Sequence, residues 1–284
     1  MKKSKKIWIP LTLIFVGLLC LSLTVGTSIK TLINNDNNPI EIQTNFEEVA
    51  NVFDEPIIEI KIETANINLI EVKYVENETY SITAFGNLEQ YRAKVKNSVL
   101  EIQTIPDNCN FGNCDLRNFD SLILEIPKSF NGNIHIDSIK SKILVDGLGQ
   151  KVETRFSIDG LDSQITVNNL NAYFDLDSMN AQIALNNSAG MINLDGLNTS
   201  AIINSVCGNL EIQADAMSTH TEFPHGDSGS YSIEMDGMSN SYSNVNDGQK
   251  QSSFGTLQHH FNHGTKGYTI TYNSNGLNNT LIVK

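Results

Sequence analysis

From Arg155 onward the sequence falls into blocks of nine residues, and this repeat limits the possible folds more than any other feature. The blocks read RFSIDGLDS, QITVNNLNA, YFDLDSMNA, QIALNNSAG, MINLDGLNT, SAIINSVCG and, degenerating, NLEIQADAM. Two earlier blocks, NIHIDSIKS from Asn133 and KILVDGLGQ from Lys142, share the pattern and are set off by the insertion Lys151 to Thr154. Second and fourth positions are apolar, which places them on one face of a strand because side chains alternate along it. Positions five and six are Asp, Asn, Gly or Ser, residues that suit a bend. An apolar residue usually follows at position seven, where it is expected to return to the core.

Alternate blocks differ. Asp159, Asp177 and Asp195 are 18 residues apart, and so are Asn168, Asn186 and Asn204 between them. The physical repeat is therefore expected to be 18 residues, two strands and two bends, each turn stacking about 4.8 Å above the last. Expected core columns are Phe156/Phe174/Ile192/Leu210, Ile158/Leu176/Leu194/Ile212 and Ile165/Ile183/Ala201. A meander of hairpins also fits nine residues but leaves the alternation unexplained. The predicted fold class is all-β: a single-stranded β-solenoid, parallel β-helix-like, about 18 residues per turn, with a strand-rich N-terminal cap, preceded by one transmembrane helix.

That helix is read from Ile7 to Val25, 19 residues without a charge, enough to span roughly 28 Å. Lys2, Lys3, Lys5 and Lys6 precede it, which predicts a cytoplasmic N-terminus and an exported remainder. Cleavage near Val25-Gly26-Thr27-Ser28, or lipidation at Cys20, are the alternatives. The expected organisation is a membrane anchor or signal segment over 1–30, a polar linker over 31–56 and a β-solenoid domain over 57–284. Within that domain, 57–130 are capping strands, 133–217 the repeat array, and 218–284 C-terminal rungs, a loop and a cap. The loop is expected over Ser239 to Gly267, and the segments Tyr268 to Tyr272 and Thr280 to Val283 are expected to close the far end.

The formal net charge of −13 repels phosphate backbones and excludes nucleic acid as a partner. No constellation of catalytic residues stands out, and no cofactor is implied. The Asp column (Asp159, Asp177, Asp195) is a candidate cation site, since stacked carboxylates repel unless an ion relieves them; caps facing solvent are the plainer reading. Calcium-binding nonapeptide repeats need a glycine-rich loop that is absent here. Late histidines (His220, His225, His259, His260, His263) with Glu222 and Asp227 suggest a transition-metal site or simply loop residues. Cys109 and Cys114 form a possible disulfide in an oxidising exterior, and Cys207 reads as structural.

Outward positions on the second strand of each turn are Gln164, Thr166, Gln182, Ala184, Ser200 and Ile202. This uncharged face is a candidate binding surface for glycan, protein or a second copy, unless the chain's own tail packs on it. On the first strand Arg155, Asp175 and Glu211 are too scattered to pair as catalytic groups.

The exported array, its strand-Asp-Gly-Leu blocks and the preceding strand Leu122 to Pro127 resemble the bacterial putative-adhesin family of β-strand-repeat envelope proteins. The resemblance covers roughly residues 57 to 284. It implies a β-solenoid domain of unknown function at the cell envelope and supplies no catalytic residues. The expectation is a non-enzymatic, membrane-tethered extracytoplasmic module, an adhesin or envelope-associated binding or regulatory protein. It has the membrane as a partner through its N-terminal helix, an envelope protein or glycan as ligand, and a single-pass cell-membrane location. The alternative is a carbohydrate-active β-helix enzyme of lyase or hydrolase type.

Overall fold

In the computed structural model Asp177 lies opposite Asp195 and Phe174 opposite Ile192, in parallel register and 18 residues apart. The structure describes residues 47–86, 91–104, 119–224, 229–262 and 267–284. They form twelve strands: β1 (Glu47–Phe53), β2 (Glu59–Val75), β3 (Tyr80–Gly86), β4 (Arg92–Lys96), β5 (Val99–Gln103), β6 (Phe119–Pro127), β7 (Asn133–Asn186), β8 (Ser188–Ile203), β9 (Val206–Phe223), β10 (Ser230–Asn244), β11 (Gln249–Phe261) and β12 (Thr269–Val283). β7 has 54 residues, which straight would reach roughly 178 Å. Instead it bends at its Asp/Asn corners and returns beside itself, so that Asn186 meets Asn168.

Successive coils run parallel along the order β2-β7-β8-β9-β12-β10. Phe156 and Phe174 stack with ring centroids 4.7 Å apart and planes 12° from parallel. Ile192 follows Phe174 in the same column. Ile212, and not the expected Leu210, follows Ile192, and Ala214, not Ile212, follows Leu194. The step from β8 to β9 is 20 residues there, so Leu210 falls opposite Gly190. Phe156, Phe174, Ile192 and Ile212 are all buried. The second-strand column places Ile183 opposite Ala201. Each coil is too thin to bury its apolar pairs alone, so stability comes from the neighbours above and below.

Both ends of the parallel stack carry antiparallel strands. β1 pairs with β3, β3 with β6 and β4 with β5 at one end; β11 pairs with β10 at the other. Antiparallel end strands cover parallel edges that would otherwise pair with another chain.

Several expectations are corrected. The described fold is entirely strand, with no helix among the described residues and none long and apolar enough to cross a membrane. The stretch from Ile7 to Val25 lies outside the described residues. The transmembrane helix, the membrane-tethered function, the membrane partner and the single-pass cell-membrane location built on it are withdrawn. Of the linker expected over 31–56, Glu47–Phe53 is strand β1, whose Val49 and Phe53 pack on the core, and residues 31–46 lie outside the described residues.

The loop expected over Ser239 to Gly267 is largely strand, the end of β10 and the whole of β11. Nor does the C-terminal segment close the far end. β12 is an interior rung between β9 and β10, pairing parallel with both. Its Ile270, Tyr272, Leu281 and Val283 are fully buried. At the corner Asn279 holds it in place: Thr219 donates to Asn279 Oδ1 at 3.0 Å, and Asn279 Nδ2 donates to Asn240 Oδ1 at 2.8 Å.

The seventh-position side chains of the first bend do not return to the core. Ile139, Leu161, Met179 and Leu197, with Met217, Leu277 and Met238 at the equivalent corner of later rungs, stand 41% to 57% exposed along one edge. At a corner the chain turns away from its own interior, so this Cβ points outward and only the rungs above and below can shield it. On the second bend Leu170 does turn in and is fully buried.

Candidate functional site

Two outward surfaces emerge from the register. On the second-strand face Gln182 lies opposite Ser200 and Ala184 opposite Ile202. The column continues through His220 and Glu222 of β9, Thr280 and Ile282 of β12, and Ser241 and Ser243 of β10. Gln164, Gln182 and Ile202 are exposed; Thr166, Ala184 and Ser200 are half-buried. None of them is covered by the C-terminal strand, which extends this face as a rung. Strand pleating makes the surface flat and repeats its short polar groups at roughly 4.8 Å. It turns charged beyond β8, where His220 sits 3.2 Å from Glu222 and Lys284 also pairs with that carboxylate. The hydrogen bond from Lys284 and the one from His220 hold the Glu222 carboxyl below its ordinary pKa.

On the other surface the Asp column is longer than the repeat suggested. Asp195 lies opposite Asp215, Asp215 opposite Asn275, and Asn275 opposite Asp236. At about 4.8 Å each neighbouring pair repels by roughly 1 kcal/mol in water, which solvent exposure and salt make bearable. Neutral Asn275 separates Asp215 from Asp236. At the other end Asp159 approaches His135 at 3.5 Å. Partial burial raises the Asp159 pKa, His135 opposes the shift, and the neighbouring carboxylates Asp177 and Asp137 add to it.

Beside this column Asp175, Asp195, Asp215, Glu234 and Asp236 border an open depression of about 510 Å³. Arg155 takes one of these groups, donating to Asp175 at 2.6 Å with its guanidinium 4.5 Å above the Tyr173 ring. The carboxylates stack along the sheet rather than converging. Among the described residues no group of three or more His, Cys, Asp or Glu side chains is placed to hold a metal ion.

The late histidines are spread over different elements. His220 belongs to β9; His259 belongs to the end strand β11, opposite Ile233 and with its ring 4.5 Å from that of Tyr242 at a tilt of 37°. β12 and β10 lie between these strands. His225, Asp227 and His263 lie outside the described residues, as do Cys109 and Cys114 with their expected disulfide. Cys207 is a half-buried free thiol whose pKa burial pushes up.

Sequence reasoning missed Asp215, Asp236, Thr280 and Ser241 as members of these columns. The signal was present: Asn275-Gly276-Leu277-Asn278 repeats the corner Asp195-Gly196-Leu197-Asn198.

No family model and no curated protein matches the chain. Among solved structures it is similar to a putative cell adhesion protein from Clostridium sporogenes ATCC 15579, at 10% identity over 84% of this chain and 99% of that one, with a TM-score of 0.36. A putative lipid binding protein from Parabacteroides distasonis ATCC 8503 aligns at 11% identity over 84% and 98%, with a TM-score of 0.37. A putative adhesin from Bacteroides fragilis NCTC 9343 aligns at 11% over 84% and 97%, with a TM-score of 0.31. The overlaps are long and the superpositions loose. The likeness to the adhesin family remains a resemblance.

Proposed function

We propose that the chain is a non-enzymatic recognition module that lays an extended neutral glycan across its second-strand face. The observation that carries this reading is the register of Gln182, Ser200, His220, Thr280 and Ser241. It presents short uncharged donors and acceptors at one position of four of these five successive rungs, with His220 between Ser200 and Thr280. A flat ladder of short polar groups meets a ligand made of repeated hydroxyls without burying an unpaired charge.

Catalysis is disfavoured by the environment of the carboxylates. Glycoside chemistry needs two carboxyls in contrasting surroundings, one of them kept protonated by a dry pocket. Asp195, Asp215, Glu234 and Asp236 all stand in open solvent, so none of the four sits in a dry pocket.

Affinity electrophoresis of the full-length chain through gels containing neutral or acidic polysaccharides tests the reading. Retardation by a neutral polysaccharide, without its depolymerisation, is the expected result. Migration unchanged by every neutral polysaccharide would overturn it.

A further inference from the structure

The exposed corner residues form a continuous stripe. Met179 and Leu197 are flanked by the register pairs Asp177/Asp195 and Asn180/Asn198, so they are neighbours on adjacent rungs. The same argument places Leu197 beside Met217, Met217 beside Leu277, and Leu277 beside Met238. Over seven rungs the stripe runs roughly 29 Å. At the β11 end it meets Phe254, which is 81% exposed and lies with Met217, Met238 and Leu277 around one shallow surface hollow.

Nothing in the fold requires these side chains. The bend needs its Asp/Asn and small residues, while a polar residue at position seven would leave the corner geometry intact. Isolated exposed Leu or Met residues call for no explanation, but a continuous row does. Methionine at three of the seven positions gives the row side chains that adapt to a partner's shape.

Charge selects the occupant. Two residues before each of six stripe positions stands an aspartate, Asp137, Asp159, Asp177, Asp195, Asp215 or Asp236, so a carboxylate column borders the apolar row. A second copy of the chain, at net charge −13, would bring the same column against this one, and an anionic lipid surface is repelled likewise. A ligand that satisfies both rows is apolar on one side and cationic beside it. The row's length corresponds to a helix of about 19 residues.

We propose that this stripe docks a basic amphipathic segment of a partner protein, its apolar side on Met179, Leu197, Met217 and Leu277 and its lysines or arginines over the Asp column. The site lies on a different surface from the glycan face and stands or falls independently of it.

The test uses the full-length chain and a fluorescent 18-residue peptide of Lys and Leu in amphipathic helical order, read by anisotropy. A scrambled peptide of the same composition serves as control. The expected result is saturable binding of the amphipathic peptide, at least tenfold tighter than the scrambled one. Leu197→Gln/Met217→Gln/Leu277→Gln is expected to lose at least tenfold in affinity, with its circular dichroism spectrum unchanged. Asp195→Asn/Asp215→Asn is expected to weaken binding and flatten its salt dependence. If the triple variant fails to fold, Met179→Gln with Met217→Gln makes the same comparison. Equal binding of the scrambled peptide, unchanged affinity in the Gln variants, or tighter capture by anionic vesicles than by the peptide would each overturn the proposal.

Discussion

Asn186 donates from its side-chain amide to Oδ1 of Asn168 at 2.8 Å, and accepts the equivalent bond from Asn204, also at 2.8 Å. The second bend is thus tied rung to rung by identical amides 18 residues apart. A central member has more to lose than a terminal one. Asn186→Ala breaks both bonds and is expected to cost about 1–3 kcal/mol. Denaturant unfolding should show a lower midpoint with an unchanged slope. Asn204→Ala breaks one bond of this ladder and should cost about half as much.

The rung spacing also predicts where a methyl group is intolerable. Gly190 has φ +114°, and a Cβ there would sit 1.9 Å from the Ala172 carbonyl oxygen of the rung beside it. Gly190→Ala is expected to prevent β8 from stacking on β7 and to leave little soluble folded protein. Gly149, at φ +77° with open space around it, supplies the contrast. Gly149→Ala meets only the backbone penalty, about 1–2 kcal/mol, and should fold normally. Soluble yield and thermal midpoint separate the two cases.

Aromatic stacking marks the middle of the core. Phe174 is buried against Phe156 on one side and Ile192 on the other. Phe174→Ala is expected to cost about 3–5 kcal/mol, and Phe174→Leu considerably less because most of the volume is kept. Chemical denaturation of the two variants checks the order.

Acid should loosen the β11 end. Burial against Tyr242 and Phe261, with a contribution from neighbouring His260, holds the His259 pKa below its ordinary 6.5. The folded chain binds this proton less readily than the unfolded one. Stability is therefore unaffected above the unfolded pKa and declines as pH falls from there toward the lower folded value. His259→Gln should remove that part of the slope, visible as a smaller drop in thermal midpoint between pH 7.5 and 5.5.

The column Phe156/Phe174/Ile192 was legible in the sequence because apolar alternation and the nine-residue period agree there. Its continuation to Leu210 was misread because two extra residues between β8 and β9 bring Ile212 opposite Ile192. Met179 and Leu197 were misjudged because residue type reports apolarity, not direction, and at a corner the backbone decides which way Cβ points. Rung order after β9 was not legible at all. β10 and β12 carry equivalent Asp-Gly-Met and Asn-Gly-Leu corners, and either fits against β9 by pattern alone. The choice rests on contacts such as Thr219 with Asn279, which join residues 60 positions apart. The candidate glycan face was legible from Gln164 to Ile202, while its continuation through Thr280 and Ser241 depended on that hidden order.

The most direct measurement is calorimetric titration of the full-length chain with a neutral polysaccharide that retards it, beside Gln182→Glu/Ser200→Glu and Asp177→Asn. Placing two carboxylates on the second-strand face should reduce affinity at least tenfold with only a small drop in thermal midpoint, and Asp177→Asn should bind as the parent does. Full affinity in the face variant, or loss of binding in Asp177→Asn alone, would contradict recognition through this face.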